Sequence, residues 1–208
     1  MKRRFNHVLT GLSFALCAAS ATGPTAAQTF PPLITEFPIT TAASGPTGIT
    51  TGPDGNIWFS EQTANKIGRM TPAGVMLNEF TLPASTSPRG ITTGPDGALW
   101  FGSANGATSK IGRVTTAGVV TSYNPPTAGS QPAEIVVGPD GALWFTEISG
   151  QKIGRLDPAQ AVANTSNGFT EFSLGAGSTA PRGIAVGSDG ALWFTIVGGD
   201  KIGRITTA

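Results

Sequence analysis

Two glutamates and two arginines are the side chains of this sequence best spaced to do chemistry together. Glu61, Arg89, Glu147 and Arg182 fall at one end of a hairpin in each of four tandem repeats. Carboxylates that converge on one opening can bind a hard cation or move a proton, and arginines there can grip a carboxylate or phosphate bidentately. The same four groups have an ordinary reading as two salt bridges, Glu61 with Arg89 and Glu147 with Arg182, that order a channel at little net stability. Both readings stand on the sequence. With one histidine, His7, and one cysteine, Cys17, there is no internal disulfide, no Cys/His zinc site and no ordinary catalytic triad.

The elements that position these residues follow from the repeat. Gly52-Pro-Asp-Gly55, Gly94-Pro-Asp-Gly97, Gly138-Pro-Asp-Gly141 and Gly187-Ser-Asp-Gly190 recur at spacings of 42, 44 and 49 residues. Each is followed by Trp-Phe (Trp58, Trp100, Trp144, Trp193) and then by Lys-Ile-Gly-Arg, and each is preceded by Pro-x-x-Ile at Pro46, Pro88, Pro132 and Pro181. A period of 40 to 50 residues indicates a solenoid or a propeller. Proline presets the first central φ of a tight turn and glycine takes the positive φ, so each Pro-Asp-Gly joins two short strands. In the first repeat the β-prone runs are 48–51, 56–60, 66–71 and 76–82.

With 29 glycines and 16 prolines, no 12-residue stretch beyond the N-terminus keeps a helical period without one of them. The predicted fold is all-β: a β-propeller of four-stranded antiparallel blades, about four of them. The repeats run 46–82, 88–123, 132–174 and 181–208. Ile57-Trp58-Phe59 is continuously apolar, as in a sheet covered on both faces, and Gly68 and its equivalents make room for a large side chain such as the tryptophan of an adjacent strand or blade. Each turn aspartate is expected to bond its own backbone, and the Lys-Ile-Gly-Arg cations to face outward into solvent. Folding the hairpins about their turns sets Thr47 opposite Glu61, Arg89 opposite Ser103, Ala133 opposite Glu147 and Arg182 opposite Ile196, at one mouth of the central channel.

The ends of the chain add three expectations. Basic residues Lys2 to Arg4, an apolar stretch from Val8 to Ala21 and small residues before Gln28 read as a signal peptide over 1–27, so that 28–208 is a propeller that is secreted or periplasmic. Without the leader the basic residues fall from 13 to 10 against 12 acidic ones, which argues against nucleic-acid binding, and no membrane segment remains. Ile34-Thr-Glu-Phe-Pro-Ile39 resembles the last strand of the other repeats, and the fourth repeat stops after its third strand, so 34–39 is placed as a strand that closes the ring. The rivals are a shortened piece of a longer propeller and a ring completed by a homodimer.

Gly-Ile-Thr-x-Gly-Pro-Asp-Gly-x-x-Trp-Phe-x-Glu followed by Lys-Ile-Gly-Arg resembles the repeat of the virginiamycin B lyase (streptogramin lyase) family, over residues 33 to 208. That resemblance implies a propeller of about seven blades. In true lyases it implies a magnesium-dependent elimination that opens the ester-closed ring of type B streptogramins, an antibiotic-resistance activity. The family's histidine stands second in Pro-His-Gly-Ile, with a carboxylate 14 residues on. Here those second positions hold Thr47, Arg89, Ala133 and Arg182, while the later position keeps Glu61 and Glu147 and changes to Ser103 and Ile196. The imidazole half of the site is missing. The expectation is a binding or interaction module that takes a small molecule or a protein at the propeller mouth through Thr47, Arg89, Ser103 and Arg182. Its rival is a carbon–oxygen lyase, or a related ester- or lactone-opening enzyme, using Glu61 or Glu147 with Mg.

Overall fold

The computed structural model describes residues 34–106 and 108–207. The expected leader, 1–27, lies outside them. Fifteen strands follow one another without a helix among the described residues. The first sheet comprises β1 (Pro46–Thr51), β2 (Ile57–Glu61), β3 (Lys66–Met70) and β4 (Met76–Thr81), close to the four runs expected. The second is β5 (Pro88–Thr93), β6 (Leu99–Ser103), β7 (Lys110–Val114) and β8 (Val120–Tyr123). The third is β9 (Pro132–Val137), β10 (Leu143–Glu147), β11 (Lys152–Leu156) and β12 (Phe169–Ser173). The fourth has three strands, β13 (Thr179–Val186), β14 (Leu192–Gly198) and β15 (Lys201–Ile205). Every sheet is an antiparallel meander in chain order, and the first strands β1, β5, β9 and β13 lie side by side. These are propeller blades around an inner row of strands.

Each β1–β2-type hairpin is closed by the same turn. The Gly52 amide donates to Asn56 O at 2.8 Å and the Gly55 amide to Gly52 O at 3.0 Å, with Gly55 at φ +74°, a conformation only glycine adopts freely. The turn aspartate bonds its own backbone as expected, and it does more. Asp54 accepts from Trp58 Nε1 at 2.9 Å and pairs with Arg69 at 2.7 Å, and the guanidinium lies 5.3 Å over the indole. The same three-residue clasp recurs in Asp96–Trp100–Arg113, Asp140–Trp144–Arg155 and Asp189–Trp193–Arg204. The arginines of Lys-Ile-Gly-Arg are therefore ion-paired over the tryptophans and not simply solvated. Burial alone would raise the Asp140 pKa, but bonds from Trp144 and Arg155 bring it below the usual carboxylate range.

The apolar core sits between blades. Trp58 and Ile67 of the first blade pack with Ile91, Leu99, Phe101 and Val114 of the second. Trp100 and Ile111 meet Ile135, Leu143, Phe145 and Leu156 in the same way, and Trp144 and Ile153 meet Leu192 and Phe194. In Ile57-Trp58-Phe59 the tryptophan thus faces one neighbour and the flanking residues face the other way, which explains the unbroken apolar run. The glycine of Lys-Ile-Gly-Arg lies under a phenylalanine, not a tryptophan. Gly68 is the register partner of Phe59, and a Cβ there would strike that ring.

The expected closing strand is not found. Residues 34–39 are assigned to no strand, and the fourth sheet keeps three strands among the described residues. Instead, Phe37 packs over Gly74 of the first blade, where a glycine at φ +83° leaves space for the ring.

Because each clasp ties a turn to a buried indole with charge-assisted hydrogen bonds, Asp140→Ala should lower stability by about 2–4 kcal/mol. Urea unfolding should show the loss as a lowered midpoint. Asp189→Ala should cost clearly less, since its tryptophan is partly exposed.

Candidate functional site

The inner end of each hairpin contains a β-bulge that sequence spacing does not reveal. β1 and β2 pair Pro46 with Glu61 and Ile49 with Phe59, so Thr47 and Gly48 together oppose Ser60. The other three blades break register at the same place, which sets Pro88 opposite Ser103, Pro132 opposite Glu147 and Pro181 opposite Ile196. Every facing pair expected from the turn centres is displaced by one residue. In the first, third and fourth blades a side-chain hydroxyl accepts from the bulged amide, while the second blade has Gly102 at that position and bulges all the same. Ser60 Oγ accepts from the Gly48 amide at 2.8 Å and donates to Arg89 O of the next blade. Thr146 accepts from the Glu134 amide at 3.3 Å and donates to Arg182 O at 2.7 Å. The bulge brings backbones together, and a Cβ on Gly48 would meet Arg89 O at 2.5 Å.

This geometry separates the residues that the sequence reading grouped. Glu61 and Glu147 are fully buried, each 0% exposed. They lie on the Phe59 and Phe145 faces of their strands, directly opposite Lys66 and Lys152 in register. Neither carboxylate oxygen of either residue has a hydrogen-bond partner among the described residues. The expected pairs Glu61–Arg89 and Glu147–Arg182 are not among the described ion pairs. Arg89 is half-buried with an unpartnered Nε, Arg182 and Thr47 are exposed, and Ser103 is buried and bonds Thr86 O.

A duplicated polar cluster surrounds the two glutamates. Glu79 accepts from the Thr41 amide and hydroxyl at 2.9 and 2.6 Å and pairs with Lys66 at 2.9 Å. Glu171 accepts from the Thr127 amide and hydroxyl at 2.8 and 2.6 Å and pairs with Lys152 at 2.6 Å. The loop that carries each threonine also places a buried serine, Ser44 or Ser130, beside the buried glutamate. In the second blade serines replace both acids, at Ser103 and Ser122, so the two acids occur together or not at all.

Burial raises the pKa of Glu61, with the neighbouring Glu79 charge adding to it and Lys66 and Ser44 opposing. Burial likewise pushes Glu147 up to about 7, with Ser130 and Lys152 opposing and Glu171 adding. A carboxyl group in that range is tuned for proton transfer, but one with no exposure offers nothing for a substrate to touch. Nor does either glutamate suit magnesium, which needs several oxygen ligands at an open position. The nearest acids, Glu79 and Glu171, are already committed to lysine and threonine, and among the described residues no three His, Cys, Asp or Glu side chains are grouped to hold a metal.

One residue of the inner strands escaped sequence reasoning. Glu134 stands where the other repeats have Gly48, Gly90 and Gly183; it is exposed, and its carboxylate lies over Gly90 beside Arg89. The break in Pro-x-Gly-Ile was the available signal. Together Thr47, Arg89, Glu134 and Arg182 give the inner row a polar, mixed-charge character.

The raised pKa fixes a sign for stability. A carboxyl group that binds its proton more tightly when folded adds stability at low pH, and that stability is lost as pH rises from about 4.5 to about 7. Glu147→Gln removes the loss, so relative to the parent it should gain up to about 3 kcal/mol between pH 5 and pH 8. Thermal unfolding of both proteins across that range should show their difference growing with pH and levelling off above 7.

A model of the virginiamycin B lyase family matches residues 17–208. A 41-residue stretch is 46% identical to virginiamycin B lyase of Bacillus licheniformis, covering 20% of this chain and 14% of that one. The fold matches virginiamycin B lyase from Staphylococcus aureus at TM-score 0.75 and 43% identity, over 83% of this chain and 56% of that one. A catalytically inactive variant of the Staphylococcus aureus enzyme with quinupristin matches at TM-score 0.74 and 42% identity, over the same shares. A putative gluconolactonase at 16% identity and TM-score 0.62, covering 78% of this chain and 60% of that one, shares the fold alone. The chain thus spans little more than half the length of the solved lyases it resembles. The family model spans nearly the whole chain, and the chain belongs to the virginiamycin B lyase family.

Proposed function

We propose that this protein is an exported, non-catalytic propeller that binds a polar ligand at the inner ends of its blades. One observation carries the reading: the two glutamates at the family's carboxylate position, Glu61 and Glu147, are wholly buried. The chain has no histidine after His7, and the second positions of its Pro-x-x-Ile segments are Thr47, Arg89, Ala133 and Arg182. A base poised near neutral pH contributes about 10²- to 10⁴-fold in rate, and among the described residues the carboxyl group pushed to about 7, Glu147, is buried. Export rests on the basic and apolar leader of residues 1–27.

The groups left for recognition are the arginines. Arg182 is exposed, Arg89 keeps a buried Nε without a partner, and Thr47 and Glu134 stand at or beside the corresponding positions of other inner strands. Guanidinium groups in that setting favour a ligand with a carboxylate or phosphate, and Glu134 adds an acceptor for hydroxyl or amine groups.

A second reading is favoured by the pKa of Glu147, which suits a general base for a streptogramin-type elimination or a related lactone opening with Mg. Incubating the protein with a type B streptogramin and magnesium, and following linear product by mass spectrometry, separates the two. Product formation should not exceed the buffer blank. Turnover that Glu147→Gln or Glu61→Gln abolishes would establish the lyase and overturn the binding-module reading.

A further inference from the structure

Arginines and acids elsewhere in the blades are matched to one another. Each third-strand arginine holds a turn aspartate, and Lys66 and Lys152 hold Glu79 and Glu171. Arg89 of β5 and Glu134 of β9 are different. Among the described residues neither enters an ion pair, and the Arg89 Nε has no hydrogen-bond acceptor. The two strands adjoin, with β1 on one side and β13 on the other, so both residues stand inside the row of blades.

The bulges fix the backbone from which each charge projects. Ser60 Oγ donates to Arg89 O, and the Glu134 amide donates to Thr146 Oγ1 at 3.3 Å. Glu134 Oε2 comes within 2.7 Å of where a Cβ on Gly90 would stand, so the glycine next to Arg89 lets the acid reach across from the neighbouring strand. The other repeats place Gly48, Gly90 and Gly183 at the Glu134 position and bulge in the same way. The fold therefore requires no side chain there, and the acid is free for recognition. Glu134 is exposed, yet the protein around its carboxylate raises the pKa, and the Arg89 charge opposes that rise.

The neighbouring charges discriminate among ligands. A ligand with a carboxylate alone gains at Arg89 but sets its negative charge beside Glu134, where like charges repel. An amine alone meets the converse penalty at Arg89. We infer that Arg89 and Glu134 together select a zwitterion, a small molecule that carries a carboxylate and an ammonium group close together as an α-amino acid does. The guanidinium takes the carboxylate, Glu134 takes the ammonium, and the occupied site stays neutral. This rests on the reading of the inner row as a ligand site and names the ligand class that Glu134 adds to it.

Calorimetric titration of the full chain at pH 7 tests the selection, with each common L-α-amino acid set against the carboxylic acid that lacks its amine, such as alanine against propionate. At least one amino acid should bind about tenfold or more tightly than its partner acid, as one charge-assisted hydrogen bond provides. Glu134→Gln should bring the two to similar affinity. Glu134→Gly, which restores the residue of the other repeats, should do the same, and Arg89→Met should remove binding of both. Acids that bind through Arg89 as tightly as amino acids would overturn the zwitterion inference and leave the polar-ligand reading standing. A preference that survives both Glu134 substitutions would also overturn it. A parent that binds neither class would overturn both readings.

Discussion

The carboxylate of the turn aspartate organises each blade. One oxygen receives the indole N–H four residues on, the other holds the arginine that lies across the same indole, and the turn amide completes the set. A buried indole N–H without an acceptor costs free energy, so the tryptophan enters the interior only where the turn provides one. The turn in turn depends on two glycines with separate jobs: Gly52, where a Cβ would strike the indole, and Gly55, which takes the positive φ. Turn, tryptophan and third-strand arginine are therefore one unit. Its fourfold recurrence gives the blades a common shape.

Blades of common shape stack through common faces, and stability in such an array comes from each unit and its contact with the next. The tryptophan of one blade and the Leu, Phe and Ile of the following one form a single cluster. Stacking also determines the fate of the glutamates. Because Glu61 and Glu147 share a strand face with Phe59 and Phe145, they are enclosed with them, and the Ser44 and Ser130 loops cover them. Threonine and lysine hold those loops down by clamping Glu79 and Glu171. In this chain Glu61 and Glu147 belong to the packing of the blades.

Much of this was legible in the sequence, and the omissions have physical causes. Strand positions and the four-blade count followed from turn chemistry, because Pro-Asp-Gly fixes backbone angles locally. The placing of the acids at a channel mouth beside arginines did not hold, since it assumed regular pairing. A bulge shifts the register by one residue in every blade, bridged by a hydroxyl at Ser60, Thr146 and Thr195 but present also where Gly102 stands, so the strand residues give no warning of it. The large side chain over Gly68 is Phe59 and not a tryptophan; both residue types recur in every repeat, and register alone distinguishes them. Glu134 replaces the glycine of Pro-x-Gly-Ile, and a repeat pattern marks the residues its copies share and not the one that departs from it. The sequence of 34–39 resembles a fourth strand, yet Phe37 lies on the first blade and the segment pairs with no strand among the described residues.

The Glu147 carboxyl group is interior to a blade junction. Its titration, followed by the side-chain carboxyl carbon in NMR with Glu147→Gln to assign the signal, reads that environment directly. A midpoint near 7, in a protein that stays folded throughout, is the predicted result. A midpoint at the ordinary glutamate value of 4.5 would place the group in water, open to substrate, and contradict the account.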